Sequence, residues 1–305
     1  MKKQFRNYQE SNKTICNTYQ KMLQFQNKKY ASKMKKYYSK NIFIKCNIWD
    51  MIEKLEDISD ESDPDIELPQ IIHASQTALS IESNFMNNNI ILNMSIKSLF
   101  DDFHWNQLPK KYQNMYNTDL LTFYHKIKGW SWFPIIGLIH DLGKILLSKD
   151  FGGLPQWSVV GDTFPIGEKL ADNYPFYDLN YHKNNKDLSE NTYQEKCGFE
   201  NVLFSWGHDE YLANVLQNKN NTKFPEEAFY IIRFHSFYSW HSPRNEKIGY
   251  QYLASEKDWY MLPLLKVFQK SDLYSKSENI QNIESIKIKY ERIINKFIEK
   301  GELQF

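Results

Sequence analysis

Apolar residues recur at three- and four-residue intervals along most of the chain, which is the spacing of one face of an α-helix. Helices are predicted at 12–34, 47–58, 70–85, 135–147, 199–219, 224–240, 259–276 and 285–303. Gly301 is expected to cap the last of them at its C-terminal end. The pattern therefore predicts a mainly α fold, built as a single domain over residues 1–305.

Three stretches depart from this helical spacing. Residues 86–131 are rich in Asn and carry apolar residues without a sustained period. We interpret them as an Asn-rich insertion with some short helix, peripheral to any site. Residues 149–169 are punctuated by Gly and Pro and include a short strand-like run, "WSVVGD". Residues 172–195 are typical of a polar loop.

Composition and charge exclude several classes of protein. The formal net charge is only +1, so no nucleic-acid or membrane-surface footprint is expected. The three cysteines are odd in number and widely spaced, which argues against a disulfide framework and favours a reducing cytoplasm. No run of about 18 apolar residues is present, and we expect no secretory signal, because no apolar stretch follows the basic first residues. We expect a cytoplasmic protein without membrane or nucleic-acid partners.

The segment "IIGLIHDLGKILL", residues 135–147, places ionisable groups within an almost wholly apolar run. His140, Asp141 and Lys144 would be buried there, and burying a charge without a partner is very costly. A bound metal is the simplest compensation for the histidine and the aspartate.

Six His and Asp residues lie in apolar or aromatic helical contexts and form a candidate metal-ligand set. They are His73, His140, Asp141, His208, His235 and Asp272. Taken singly, each is more often a structural residue satisfied by a hydrogen bond. Together, four imidazoles and two carboxylates without a thiolate suit Fe, Mn, Zn or Ni. Six ligands exceed one tetrahedral site, so two metals are expected, with Asp141 as the bridging ligand.

Lys144 follows His140 by four residues, and on a helix the two side chains would face the same way. A cation beside two metals is not a ligand. It is suited to hold an anionic or hydroxylated substrate, and the alternative is a lysine that only extends its ammonium to solvent. The acidic segment "SDESDPD", residues 59–65, is by default a solvated loop.

Several motifs of this chain resemble those of the myo-inositol oxygenases, a divergent branch of the HD-domain proteins. The strings "PQWSVVGDTFP", "SWGHDEY" and "FYIIRFHSFY" are highly specific for that family, whereas a bare His-Asp pair is not. The further segments that carry the resemblance are "FRNY" (5–8), "DESDPD" (60–65), "HASQTA" (73–78), "GLIHDLGK" (137–144) and "LPLLKVFQKSDLY" (262–274).

The resemblance implies an HD-domain-like helical bundle around a mixed-valent Fe(II)/Fe(III) pair, with no organic cofactor. One iron would be bound by His73, His140, Asp141 and Asp272, and the other by Asp141, His208 and His235. The implied reaction is the O2-dependent ring cleavage of myo-inositol to D-glucuronate, a step of inositol catabolism, with Lys144 and Asp141 as catalytic residues. Implied substrate contacts are Arg6, Asp60, Glu61, Ser62, Lys144, Gly161, Asp162, His235 and Ser236. The acidic segment is thereby reassigned to hydroxyl recognition, and a monomer is expected.

The chain departs from the family pattern in two places. Between His73 and His140 the spacing is far longer than the family usually has, mainly because of the insertion, and Pro134 stands where members commonly have a polar residue. Two other functions stay open from the residues alone. One is a metal-dependent phosphohydrolase of the HD type, and the other is a non-catalytic metal-binding scaffold that works through the insertion.

Overall fold

The computed structural model describes residues 8, 11–64, 69–87, 93–127, 129–220, 222–242, 248–274 and 282–305. Most of these residues are helical, which confirms the predicted mainly α class. The α-helices are α1 (Lys13–Phe25), α2 (Lys28–Lys40), α3 (Ile48–Lys54), α4 (Gln70–Ile81), α5 (Asp102–Gln107), α6 (Lys110–Met115), α7 (Leu120–Phe123), α8 (Trp132–Ile139), α9 (His208–Asn214), α10 (Glu226–Phe234), α11 (Tyr238–His241), α12 (Glu256–Tyr274) and α13 (Ile283–Phe297). Among the described residues, no helix is long and apolar enough to cross a membrane.

A small antiparallel sheet joins the first third of the chain to its C-terminus. Strand β1 (Lys45–Asn47) pairs with β2 (Glu302–Gln304), with Cys46 opposite Leu303. The side chain of Leu303 is fully buried. The sheet therefore ties these two parts of the chain together and places Leu303 in the core, and it does not form a separate layer.

Helix α8 lies in the middle of the core, because every one of its residues is buried. It crosses α4 closely at Gly137, where a Cβ would lie 3.1 Å from the backbone of Ala78. Pro134 lies in the first turn of α8, where its missing N–H has no intrahelical role, as the sequence predicts.

Several predicted helices are shorter or more broken than the pattern suggests. The segment 12–34 divides into α1 and α2, because the side chain of Asn27 accepts a hydrogen bond from the Tyr30 amide and starts a new helix. The segment 285–303 also ends early, so the prediction for Gly301 is wrong. Helix α13 ends at Phe297, and Gly301 adopts φ +65° in a short 3₁₀ turn that leads into β2.

The remaining differences lie next to the predicted site residues. The run "WSVVGD" forms no strand; residues 156–158 make a 3₁₀ turn instead. The segments 135–147, 199–219 and 224–240 are each interrupted, and His140, His208 and His235 lie at the interruptions. These three histidines therefore lie at helix ends and not within long helices.

Candidate metal centre

The six predicted ligands converge in one buried cluster. His140 and Asp141 directly follow α8, His208 is the first residue of α9, and His235 directly follows α10. His73 lies in the first turn of α4, and Asp272 lies near the end of α12. All six side chains are buried.

The carboxylate of Asp141 divides the cluster into two halves. Its Oδ2 lies 3.3 Å from Nε2 of His140 and 3.7 Å from Nε2 of His73. Its Oδ1 lies 3.2 Å from Nε2 of His208 and 3.5 Å from Nε2 of His235. One carboxylate therefore faces two pairs of imidazoles through different oxygens, as a bridging ligand does.

Asp272 belongs to the first of these halves. Its Oδ1 lies 2.9 Å from Nε2 of His73 and 3.3 Å from Nε2 of His140. The two halves thus comprise His73, His140 and Asp272 on one side of Asp141, and His208 and His235 on the other. In each of two overlapping groups, the donor atoms lie within 4.8 Å of one another. The first group is His73, His140 and Asp141, and the second is Asp141, His208 and His235.

Backbone carbonyls fix the orientation of three of the four imidazoles. Nδ1 of His140 lies 2.8 Å from the Gly137 carbonyl, and Nδ1 of His208 lies 2.7 Å from that of Val159. Nδ1 of His235 lies 2.8 Å from the Ile232 carbonyl. Because a carbonyl can only accept, each Nδ1 carries the hydrogen, and each Nε2 presents its lone pair to the cluster in the neutral ring.

This donor set fits bound cations. Nε2 of His208 and Nε2 of His235 lie only 3.1 Å apart, so two lone pairs would face each other in a buried space if both rings were neutral. Oδ1 of Asp272 is buried and has no aligned hydrogen-bond donor among the described residues. A cation coordinated by these atoms removes both costs, because it replaces repulsion and lost hydration with ligand bonds.

Electrostatics already favours ionised carboxylates here. Burial by itself would raise the pKa of Asp141, but His140 and Lys144 outweigh it and hold that pKa well below its usual value. Burial likewise opposes a charge on His140, whereas Asp141 and Asp272 raise the pKa of this imidazole to about 10. The cluster is therefore arranged to stabilise positive charge beside Asp141.

Lys144 is buried, and its ammonium has three acceptors. Nζ donates to Oδ2 of Asp141 at 2.9 Å, to Oε1 of Gln70 at 2.9 Å and to Oδ2 of Asp60 at 2.8 Å. Burial favours the neutral amine, but Asp141 and Asp60 raise the pKa above its usual value. Lys144 is thus a fixed cation at the edge of the cluster, not a solvent-extended side chain.

The sequence-based reason for the position of Lys144 needs correction. Residues Leu142–Leu147 form a 3₁₀-helix, not a continuation of α8. With three residues per turn, Lys144 lies over Asp141 at i+3 rather than over His140 at i+4.

A cavity opens onto the cluster and is lined by several predicted substrate contacts. They are Asp60, Ser62, Lys144, Gly161, Asp162, His235 and Ser236. Oδ1 of Asp60 accepts hydrogen bonds from the Ser62 amide at 2.8 Å and from its hydroxyl at 2.5 Å. Glu61 is exposed and lines a neighbouring groove instead, and Arg6 lies outside the described residues.

Sequence reasoning missed residues that hold the predicted contacts in place. Oδ1 of Asp162 accepts a hydrogen bond from the Tyr19 hydroxyl at 2.7 Å, and the Tyr174 hydroxyl donates to the Asp162 carbonyl at 2.7 Å. Gln70 supports Lys144, and Tyr238 lines the cavity. Gln70 begins the helix that carries His73, and its position one turn before that histidine was the available signal.

Comparison with known proteins identifies the family. The family model described as myo-inositol oxygenase matches residues 12–105 and 123–305. The inositol oxygenase of Dictyostelium discoideum is 38% identical over 302 residues, which cover 96% of this chain and 87% of that protein. The mouse inositol oxygenase is 35% identical over 97% of this chain and 89% of its own length, and inositol oxygenase 2 of Arabidopsis thaliana is 36% identical over 88% and 71%. This chain belongs to the myo-inositol oxygenase family.

Proposed function

We propose that this protein oxygenates myo-inositol, using two iron ions and O2 to open the ring and form D-glucuronate. The observation that carries the proposal is the placement of Asp141 between two pairs of histidines, within a family whose members are named inositol oxygenases. The overall change balances as C6H12O6 plus O2 giving C6H10O7 plus water. A single O2 supplies all the oxidising equivalents, and no organic cofactor is needed.

The residues of the two halves would each hold one iron. The first would be bound by His73, His140, Asp141 and Asp272, and the second by Asp141, His208 and His235. When bound, the pair would supply redox chemistry toward O2 and Lewis acidity toward a substrate hydroxyl. The four imidazoles and two carboxylates support this assignment because they are ligands that iron accepts.

Lys144 would act on the substrate as a charge and not as a base. Its ammonium is held protonated by Asp141 and Asp60, so it has no lone pair with which to take a proton. A fixed positive charge is instead suited to stabilise a hydroxyl oxygen of the substrate as that oxygen loses its proton. Asp141 would contribute by holding both halves of the centre at a constant separation.

The polar cavity lining would recognise the hydroxyl groups of the cyclitol. Asp60, Ser62, Asp162 and Ser236 offer carboxylate and hydroxyl oxygens there. Gly161 adopts φ +98° and exposes backbone without a side chain, so a substrate can approach it closely. Arg6 and Glu61 remain predicted substrate contacts. The monomeric state, the cytoplasmic location and the single domain over 1–305 also remain predictions.

The test is O2 consumption by the Fe(II)-loaded protein on addition of myo-inositol, with glucuronate measured in the same vessel. We expect one O2 consumed per glucuronate formed. As a comparison, the same preparation is given a phosphomonoester, and released phosphate is measured. Phosphate release without O2 uptake would contradict the oxygenase assignment and indicate a metal-dependent phosphohydrolase.

A further inference from the structure

Helix α12, which carries Asp272, contains a proline in its interior. Pro263 has no N–H, so the carbonyl of Trp259, four residues earlier, has no partner within the helix. The backbone N–H of the next residue, Leu264, bonds the hydroxyl of Tyr124. The helix is therefore open to side chains at this point, and the carbonyl of Trp259 needs another donor.

Two tyrosine hydroxyls donate to carbonyls at this point of the helix. Tyr116 donates to the Trp259 carbonyl, and Tyr124 donates to the Tyr260 carbonyl at 2.6 Å. Both tyrosine side chains are almost completely buried. Burial raises the pKa of each well above its ordinary value, so both hydroxyls keep the hydrogen that they donate.

The two tyrosines come from the predicted insertion 86–131, and Tyr116 lies in the part, 106–122, that the family model does not match. The rings add to the contact. Tyr112 stacks on Trp259 with centroids 4.2 Å apart, and Tyr124 packs edge-on against Tyr260 at 5.1 Å. This segment therefore packs against α12, and its two tyrosine hydroxyls bond the turn that precedes the proline.

The part of α12 beyond the proline enters the metal centre. Asp272 lies within the cluster, and Gln269 donates to the carbonyl of His235 at 2.7 Å. Asp272 lies nine residues after Pro263, or about 14 Å along the helix axis. A change of about 1° in the direction of the helix at Pro263 would move Asp272 by about 0.2 Å, which is the tolerance of a metal–ligand distance.

We propose that Tyr116 and Tyr124 are positioning residues for the metal centre. Tyr116 satisfies the carbonyl freed by Pro263, Tyr124 bonds the next carbonyl, and together they fix the course of α12 that places Asp272. The inference rests on the proposed role of Asp272 as a ligand. Through Tyr116 it assigns a function to residues 106–122, the segment that the family model leaves unmatched. That segment would act on the half of the centre that contains His73 and His140, because Asp272 belongs to that half.

The test is an anaerobic Fe(II) titration of the full-length protein and its Tyr116→Phe variant, in competition with a chelator. Phenylalanine keeps the ring and removes only the hydroxyl. We expect one of the two binding steps to weaken about tenfold, the usual scale for residues that orient a metal ligand, while the other is unchanged. Tyr112→Phe is the matched control, because its hydroxyl bonds the exposed Glu256 carboxylate and no freed carbonyl.

The Tyr116→Phe substitution, made in a Pro263→Ala protein, distinguishes a positioning role of the hydroxyl from a general packing role. In Pro263→Ala the new amide at position 263 can bond the Trp259 carbonyl, so the Tyr116 hydroxyl becomes redundant. We expect Tyr116→Phe to leave iron binding unchanged within about twofold in that background. An equal loss in both backgrounds, or no loss in either, would overturn the proposal.

If Tyr116→Phe does not fold, Tyr124→Phe is measured by the same titration and decides the question. Iron binding is measured without inositol, so the two proposals can fail separately. Unchanged binding in the variants with normal glucuronate formation would reject the positioning role alone. Two intact binding steps without any glucuronate would reject the proposed reaction alone.

Discussion

Gly143 packs its Cα directly against the carbonyl of His208, and a Cβ at this position would overlap that oxygen. The contact joins the 3₁₀ segment after Asp141 to the first residue of α9. It explains the glycine in "HDLGK" by a close approach of two backbones. Its φ is ordinary, so only space, and not backbone conformation, requires glycine there.

Gly143→Ala is therefore expected to push the segment that carries Asp141 away from His208. We expect a loss of about 3 kcal/mol in the free energy of unfolding, as in a severely overpacked core, together with a loss of bound iron. Urea unfolding of the metal-free protein and iron analysis check the two effects. Gly137→Ala is the comparison, because its Cβ first meets the movable end of Ile81, and it should cost less. Equal stability of the two variants would contradict the account.

Asp141→Asn removes one of the two carboxylate oxygens that face the histidine pairs. An amide nitrogen is not a metal ligand, so a side chain with one remaining oxygen cannot bridge. We expect about one iron per chain in place of two, measured after gel filtration. Asp209→Asn is the control, because Asp209 is buried beside His208 and bonds Thr163 outside the cluster. Two irons and full activity in Asp141→Asn would show that Asp141 does not bridge.

Lys144→Met keeps the apolar stem of the side chain and removes its charge. If the ammonium stabilises a substrate oxygen, turnover should fall about 100-fold while both irons stay bound. Steady-state kinetics with myo-inositol and iron analysis of the same sample check this. The exposed Lys149 provides the control substitution, Lys149→Met, which should change neither value. A variant that lost its iron would refute a role confined to the substrate.

Glu210 links α9 to α10 through a half-buried ion pair. Its carboxylate lies 2.6 Å from Nε of Arg233 and 2.6 Å from Nζ of Lys35. Burial would raise the pKa of Glu210, but Arg233 and then Lys35 outweigh it and lower that pKa. Because the pKa is lower in the folded state, the stabilisation is present above the unfolded pKa of about 4.3 and is lost as the pH falls through the folded pKa.

Glu210→Gln should therefore cost about 2 kcal/mol at pH 7, most of it from Arg233, since Lys35 is more exposed to solvent screening. The difference from the wild type should shrink as the pH falls below about 4. Urea unfolding at several pH values measures this. Glu200→Gln, in an exposed pair with Lys257, should change stability by less than about 0.5 kcal/mol at every pH. If the loss of stability in Glu210→Gln did not change with pH, it would come from altered packing and not from the ion pair.

The sequence by itself determined the helical class, the identities of the six metal-ligand candidates and the family. Helical class follows from the spacing of apolar residues, which is local information. The six His and Asp residues stand out because ionisable groups in apolar surroundings need a partner, and strings such as "PQWSVVGDTFP" carry the family signal in residue order alone.

Only the tertiary structure decided where the helices stop and which side chains meet. The spacing of apolar residues does not reveal the end of α8 at Ile139, because Leu142–Leu147 continues the same apolar pattern. This segment forms a 3₁₀-helix where it packs against α9. The division of Asp141 between two histidine pairs, and the bonds of Tyr116 and Tyr124 to carbonyls of α12 just before Pro263, join residues far apart in sequence. Such contacts depend on how the helices pack, which no local pattern encodes.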